Sequence, residues 1–325
     1  MKTAACVLGP VPPDRLGHCQ IHEHIFVRAT PAAEKNPALR IDDEAHSAEE
    51  LRRYRAAGGG SLVDAQPFGA GRDALALARL SRETGVAVVA STGFHLPGFY
   101  RPDSWLNDLD EGGLRALFES ELAEGMLPWE AETLGPDTPR TGVRAGLVKA
   151  AIPAEGPVGR FRTLLRAAAG AAAARRAPLM LHTEKGQRAV EAAELCFSLG
   201  VAPEGLIVCH ADRQADDFAP HEALARLGVY LDYDTIGRFR YHSDEAELRL
   251  ILHMLEKGLG GRLLLSLDTT AARLRSYGGS IGLDYLFVSF LPALRAAGVH
   301  GDALEAMTRV SPRRALTPYS TTEGC

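Results

Sequence analysis

Eight short apolar runs rich in Val, Leu and Ile recur along this chain, and nothing else in the sequence limits its fold so tightly. They are CQIHEHI (19–25), SLVDA (61–65), VAVVAST (86–92), GLVKAA (146–151), PLMLHT (178–183), LIVCHA (206–211), VYLDYD (229–234) and LLLSLD (263–268). Their length suits strands, and their mostly continuous apolar character is what strands buried on both faces require. Most are separated by segments of helical character, such as DALALARLSRETG (73–85), FRTLLRAAAGAAAARRA (161–177) and DEAELRLILHMLEKG (244–258). The first and last of these end on Gly, a common helix stop. Eight strand-helix units with no linker between them predict an α/β protein built as one closed (β/α)8 TIM barrel, a single domain over residues 1–325. A dinucleotide-binding open sheet is disfavoured, because no G-x-G-x-x-G turn follows the first run. Two connections, 26–60 and 93–145, exceed ordinary turns and are expected to hold helices and loops over the barrel mouth.

Composition narrows the function classes. The 325 residues carry a formal net charge of -5, with 46% hydrophobic and 24% charged residues, which are globular values. No basic run has the length of a nucleic-acid patch, and at 6% aromatic residues the chain is poor in stacking platforms, so nucleic acid is not an expected partner. No apolar stretch approaches the roughly 18 residues of a membrane span. The opening MKTAACVLGPVPPDR has its apolar run cut by Gly9 and Pro10, too short for a signal peptide, so a soluble cytoplasmic protein is expected. Cys6, Cys19, Cys196, Cys209 and Cys325 are scattered and show no C-x-x-C spacing, which predicts reduced thiols.

A barrel places its active site at the carboxyl ends of its strands, so an ionisable residue closing an apolar run has an expected address. The first run ends with His22 and His24, the fourth carries Lys149, the fifth ends with His182, the sixth with His210 and the eighth with Asp268. Residues two apart on a strand share a face, which sends His22 and His24 into the barrel together and Glu23 to the other side. Singly, each has an ordinary explanation: a core histidine, a lysine whose stem packs and whose head reaches water. Converging at one end of several strands, they would cost several kcal/mol unpaired. Metal coordination removes that cost, since imidazole and carboxylate are ligands for zinc and similar ions.

These motifs, HEH at 22–24, Lys149, LHTEKG (181–186), CHADR (209–213) and LLLSLDTT (263–270), resemble the phosphotriesterase family of the amidohydrolase superfamily. The resemblance extends through GGGSLVDAQPFGAGRD (58–73) and TGFHLPGFY (92–100) and runs nearly end to end. It implies a binuclear centre in which His22, His24 and Asp268 hold the more buried metal and His182 and His210 the more exposed one. Lys149, as N6-carboxylysine, would bridge both together with a hydroxide. Zinc is the expected metal, with manganese, cobalt and iron as alternatives that the same ligands accept. Deaminases of the superfamily keep the histidines and the aspartate but lack the bridging lysine, so Lys149 argues for two metals.

Such a centre implies hydrolysis at a carbonyl carbon or at phosphorus, with Asp268 orienting the nucleophile and moving its proton. The loops suggest the substrate. TIGRFRYHSDE (235–245) carries Arg238, Arg240 and His242, and TTAARLRSYGGSIG (269–282) carries Arg273, Arg275 and Tyr277. Guanidinium groups suit a phosphate, and an arginine-rich rim favours an anionic small molecule over a neutral triester. The chain most resembles the lactonase branch acting on sugar lactones, some of them phosphorylated. The expected function is opening of a phosphorylated sugar lactone, with Arg240, Arg275 and Tyr277 gripping phosphate and His95 and Tyr100 adding contacts. The alternatives are an organophosphate or carboxylic ester hydrolase and, from another class, a metal-binding scaffold without activity. The resemblance also implies a homo-oligomer.

Overall fold

The computed structural model describes residues 2–131, 135 and 137–317. A two-stranded antiparallel hairpin, β1 (Ala4–Cys6) and β2 (Gly9–Val11), comes first. Eight parallel strands follow: β3 (His18–Glu23), β4 (Gly59–Asp64), β5 (Ala87–Gly93), β6 (Leu147–Ala151), β7 (Leu179–His182), β8 (Leu206–Cys209), β9 (Tyr230–Tyr233) and β10 (Leu263–Leu265). They pair in sequence order from β3 to β10, with helices between them, as a (β/α)8 barrel.

The apolar runs are continuous because the strands bury both faces. On β8, Leu206 and Val208 pack outward with the helices, while Ile207 and Cys209 join an inner cluster with Ile21, Val63, Val89, Leu147, Met180 and Leu264. Ala4 and Cys6 of the hairpin and Leu16 pack into that same inner cluster. The hairpin therefore gives structural work to the amino-terminal run. The barrel closes between β10 and β3 at the functional end: Asp268 N–H donates to His22 O at 3.1 Å. Ser266 Oγ accepts from Ile21 N at 2.8 Å and His22 N at 3.0 Å, and donates to Asp232 Oδ1 at 2.9 Å.

The expected helices are present as Ala74–Thr84, Gly159–Arg175 and Asp244–Glu256. The two long connections also hold helices. Glu44–Ala57 is capped by Asp43, which accepts from His46 N, and stops at Gly58 with φ 115°. Glu111–Ala123 is tied to the barrel by a fully buried pair, Arg72 donating to both oxygens of Glu121 at 2.7 and 2.6 Å. The strands are shorter than their apolar runs: β8 stops before His210 and β10 three residues before Asp268. His210 and Asp268 instead stand on left-handed backbone, φ 66° and 46°, a costly conformation for a side-chain-bearing residue that concentrates at functional sites. Cys6, Cys19, Cys196 and Cys209 are free and buried, and Cys325 lies outside the described residues.

One glycine fixes the position of Lys149. Gly93 ends β5 with φ 107°, and a Cβ there would stand 1.9 Å from Lys149 O. Gly93→Ala combines a strained φ with a backbone clash, so it should destabilise the protein by about 3 kcal/mol. A clearly lowered urea midpoint checks this; an unchanged midpoint would contradict it.

Candidate metal centre

The carboxyl ends of β3, β6, β7, β8 and β10 bring His22, His24, Lys149, His182, His210 and Asp268 together, all of them buried except the partly covered His24. His22 Nε2 lies 3.8 Å from Asp268 Oδ1, and His24 Nε2 lies 3.4 Å from the same oxygen. Ligand atoms of these three residues all fall within 4.8 Å of one another. Lys149 Nζ is 3.2 Å from His22 Nε2, and His210 Nε2 is 2.8 Å from His182 Nδ1.

The hydrogen bonds on the far side of each ring determine which nitrogens face inward. His22 Nδ1–H donates to Asp234 Oδ2 at 3.0 Å and His210 Nδ1–H donates to Asp234 Oδ1 at 2.7 Å. His182 Nε2–H donates to Glu184 Oε1 at 3.2 Å. Neutral rings so bonded turn the lone pairs of His210 Nε2 and His182 Nδ1 toward each other with no proton to share, while the lone pair of His22 Nε2 faces the Lys149 amine. His24 Nδ1 is buried with no hydrogen-bond partner. Lone pairs converging in a dry site fit a cation, and a carboxylate behind each ligating imidazole is the usual support of metal-binding histidines.

Electrostatics keep the donors ready. Burial, then the charge of Lys149, lowers His22 to about 4, and burial first lowers His182 and His210 as well, so all three stay neutral at physiological pH. Burial also lowers Lys149, favouring the neutral amine. Burial works against the charge on Asp268, but Arg238 beside it, the bond to His24 and the nearby imidazoles outweigh it and hold the carboxyl well below its ordinary range. Asp234 is held low in the same way, with His210 and His22 outweighing burial.

Above these residues lies a cavity of about 300 Å³. Its walls include His95, Phe99, Glu184, Arg213, Arg238, Arg240 and Tyr241. Arg213 reaches Asp268 Oδ2 at 3.4 Å and Glu184 Oε2 at 3.5 Å, and Arg238 also contacts Asp268. Three guanidiniums, those of Arg213, Arg238 and Arg240, stand 4.9, 5.7 and 4.6 Å from the Tyr241 ring centre.

The expected substrate contacts divide. Arg240 and His95 line the cavity, His95 stacking on Phe99 at 3.9 Å and accepting from Leu96 N through Nδ1. Tyr100 is buried behind it, stacked on Phe94 with its hydroxyl accepting from His95 N at 2.9 Å. Arg275 and Tyr277 do not line the cavity. Arg275 pairs with Asp284 at 2.9 Å, and Tyr277 bonds Asp43 O at 2.8 Å and Ser47 Oγ at 2.9 Å, so local partners hold both side chains. Arg273 braces backbone, donating to Leu267 O and to Ile236 O. Sequence reasoning did not single out Asp234, Arg213, Tyr241 or Glu184. Asp234 ends one of the eight runs, so the strand-end rule that found the histidines points to it too.

The sequence profile of the phosphotriesterase family matches residues 2–316. The chain is 30% identical to a phospho-furanose lactonase of Mycoplasmopsis synoviae, over 97% of this chain and 92% of that protein. Its fold matches the crystal structure of an amidohydrolase from Mycoplasma synoviae with TM-score 0.90 and 29% identity, covering 98% of this chain and 92% of that one. It also matches the phosphotriesterase homology protein of Escherichia coli, solved with phosphate in its active site, with TM-score 0.83 and 26% identity over 93% and 99% of the two chains. The family match and the lactonase-named relative support a hydrolase that acts on lactone or ester bonds. The chain belongs to the phosphotriesterase family.

Asp234 orients two imidazoles at once, so Asp234→Asn should lower metal affinity about 10- to 100-fold. Competition with a chromogenic chelator measures it; unchanged affinity would show that the carboxylate does not position the ligands.

Proposed function

We propose that the protein is a binuclear metal-dependent lactonase that opens a phosphorylated sugar lactone. In this reading His22, His24 and Asp268 would hold one divalent cation, His182 and His210 a second, and a carboxylated Lys149 would be a ligand to the pair. When bound, such a pair supplies Lewis acidity to the carbonyl under attack and lowers the pKa of water. A carbamate on Lys149 forms from the neutral amine and carbon dioxide, and burial of Lys149 favours that amine. Zinc is the leading candidate for both positions.

The chain's own residues account for the rest of the reaction. Asp268 accepts the proton of the attacking water as its oxygen bonds to the lactone carbon. It returns that proton to the ring oxygen as the carbon–oxygen bond breaks, giving a hydroxy acid. Arg238 and Arg213 contact Asp268 and favour its ionised form, the form able to accept a proton. Phe99 and Leu96 give the cavity an apolar wall on the side of His95.

The observation that carries the substrate assignment is the cationic wall of this cavity. Arg213 and Arg238 are engaged by Asp268, whereas among the described residues Arg240 bonds only the Tyr241 hydroxyl, at 2.7 Å, so its charge is available to an incoming anion. The relative named phospho-furanose lactonase supports the same choice. Arg240, presented beside Tyr241, grips the phosphate in this proposal. Arg275 and Tyr277 are not assigned that role, since Asp284, Asp43 and Ser47 hold them.

Removing one charge-assisted hydrogen bond to the substrate phosphate corresponds to roughly a 10- to 100-fold rise in KM. Arg240→Met should show that rise with a phosphorylated furanose lactone and little change with its unphosphorylated counterpart. Equal effects on both substrates would remove the phosphate assignment. Asp268→Asn should lower kcat by about 10²- to 10⁴-fold on either lactone. Retention of full kcat would exclude Asp268 as the proton carrier.

A further inference from the structure

Behind the cavity wall, between the barrel units that begin with β8 and β9, lies a second cluster of metal-ligating side chains. Asp212 follows His210 by two residues, His242 sits on the loop after β9, and Glu247 lies in the first turn of the Asp244–Glu256 helix. None of the three lines the cavity. Asp212 and Glu247 are 0% exposed, and ligand atoms of all three residues fall within 4.8 Å of one another.

The protons available do not match the lone pairs present. Thr235 spends its hydroxyl proton on Asp212 Oδ2 at 2.6 Å, and its backbone N–H donates to the same oxygen at 2.6 Å. His242 Nδ1 faces Ser243 O at 3.1 Å, and a carbonyl can only accept, so Nδ1 carries the proton and Nε2 of the neutral ring presents a lone pair. That lone pair stands 2.9 Å from Thr235 Oγ1 and 3.1 Å from Glu247 Oε2. Asp212 Oδ1 and both Glu247 oxygens are buried without a hydrogen bond. A second proton on His242 would serve Glu247 Oε2 and still leave Asp212 Oδ1 and Glu247 Oε1 unsatisfied.

The nearby arginines turn elsewhere, although the charge of Arg213 is felt at Asp212. Arg213 turns to Asp268 and Glu184, and Arg273 donates to Leu267 O and Ile236 O. Asp244 accepts from Gly237 N and the Tyr285 hydroxyl. Among the described residues, no lysine or arginine forms an ion pair with Asp212 or Glu247. Two buried carboxylates kept ionised without a cation are costly, burial pushes both carboxyls upward, and a divalent ion is a group that satisfies both at once.

We infer that Asp212, His242 and Glu247 bind a further divalent cation, a structural one, outside the catalytic cluster. One imidazole nitrogen and two carboxylates suit Zn²⁺ or Mn²⁺. The ion ties the loop after β9 to the barrel. That loop carries Arg238, Arg240 and Tyr241, so the ion fixes the wall that faces substrate. The site does not rest on the lactone assignment or on the number of ions at the barrel mouth.

The test uses the full chain, stripped with chelator, reloaded with Zn²⁺ or Mn²⁺ alone and desalted. Elemental analysis should find one more equivalent in the wild type than in Glu247→Gln, whatever the total. Crystals of the reloaded wild type, measured on either side of the metal absorption edge, should show an anomalous peak between Asp212, His242 and Glu247. The diffraction arm needs no variant and stays decisive if Glu247→Gln fails to fold. His242→Asn gives a second comparison of metal content. Equal content in wild type and variants, or no anomalous peak at this position, would overturn the inference and leave protons, on His242 or on the buried carboxyls themselves, as the cluster's compensation. A peak here with none at the barrel mouth would uphold this site while failing the binuclear proposal.

Discussion

The carboxylate of Asp234 is the contact on which the centre of this protein depends. One oxygen accepts from His22 and the other from His210, residues delivered by β3 and β8 from different sides of the barrel. A single buried charge thereby sets two tautomers and turns two lone pairs inward. His22 in turn holds the seam that closes the barrel, because its backbone oxygen accepts from Asp268 N and its backbone nitrogen donates to Ser266 Oγ. Ring closure and placement of the imidazole thus meet at one residue, His22.

Around that centre the loops carry the variable chemistry. The cations at the cavity have graded freedom: Arg213 and Arg238 are committed to Asp268, while Arg240 is held, among the described residues, only by Tyr241. This gradation separates groups engaged by the Asp268 carboxylate from one able to meet an anion. The cluster of Asp212, His242 and Glu247 sits beneath the same loop, which links the geometry of that wall to charge neutralisation outside the cavity.

The barrel was legible in the sequence because strands buried on both faces leave continuous apolar runs, and the ligand cluster because costly polar groups ended them. His22, His24, Lys149, His182, His210 and Asp268 therefore converge as their positions suggested. The hairpin of β1 and β2 was not legible, since three-residue strands leave no periodicity. Loop side chains were harder still. Arg275 and Tyr277 looked like phosphate ligands by residue type, but their direction is set by Asp284, Asp43 and Ser47, and such tertiary partners leave no local signal. Asp234 was within reach of the strand-end rule. Its role depends on two rings that only the folded barrel brings beside it.

The central functional claim is that two cations are joined through a carbamate on Lys149, and it can be read directly. Protein reloaded with zinc in ¹³C-bicarbonate should show one carbamate carbon per chain by NMR, and Lys149→Met should lack both that signal and the lactonase activity. Active wild-type enzyme with its metal bound and no carbamate signal would contradict the account.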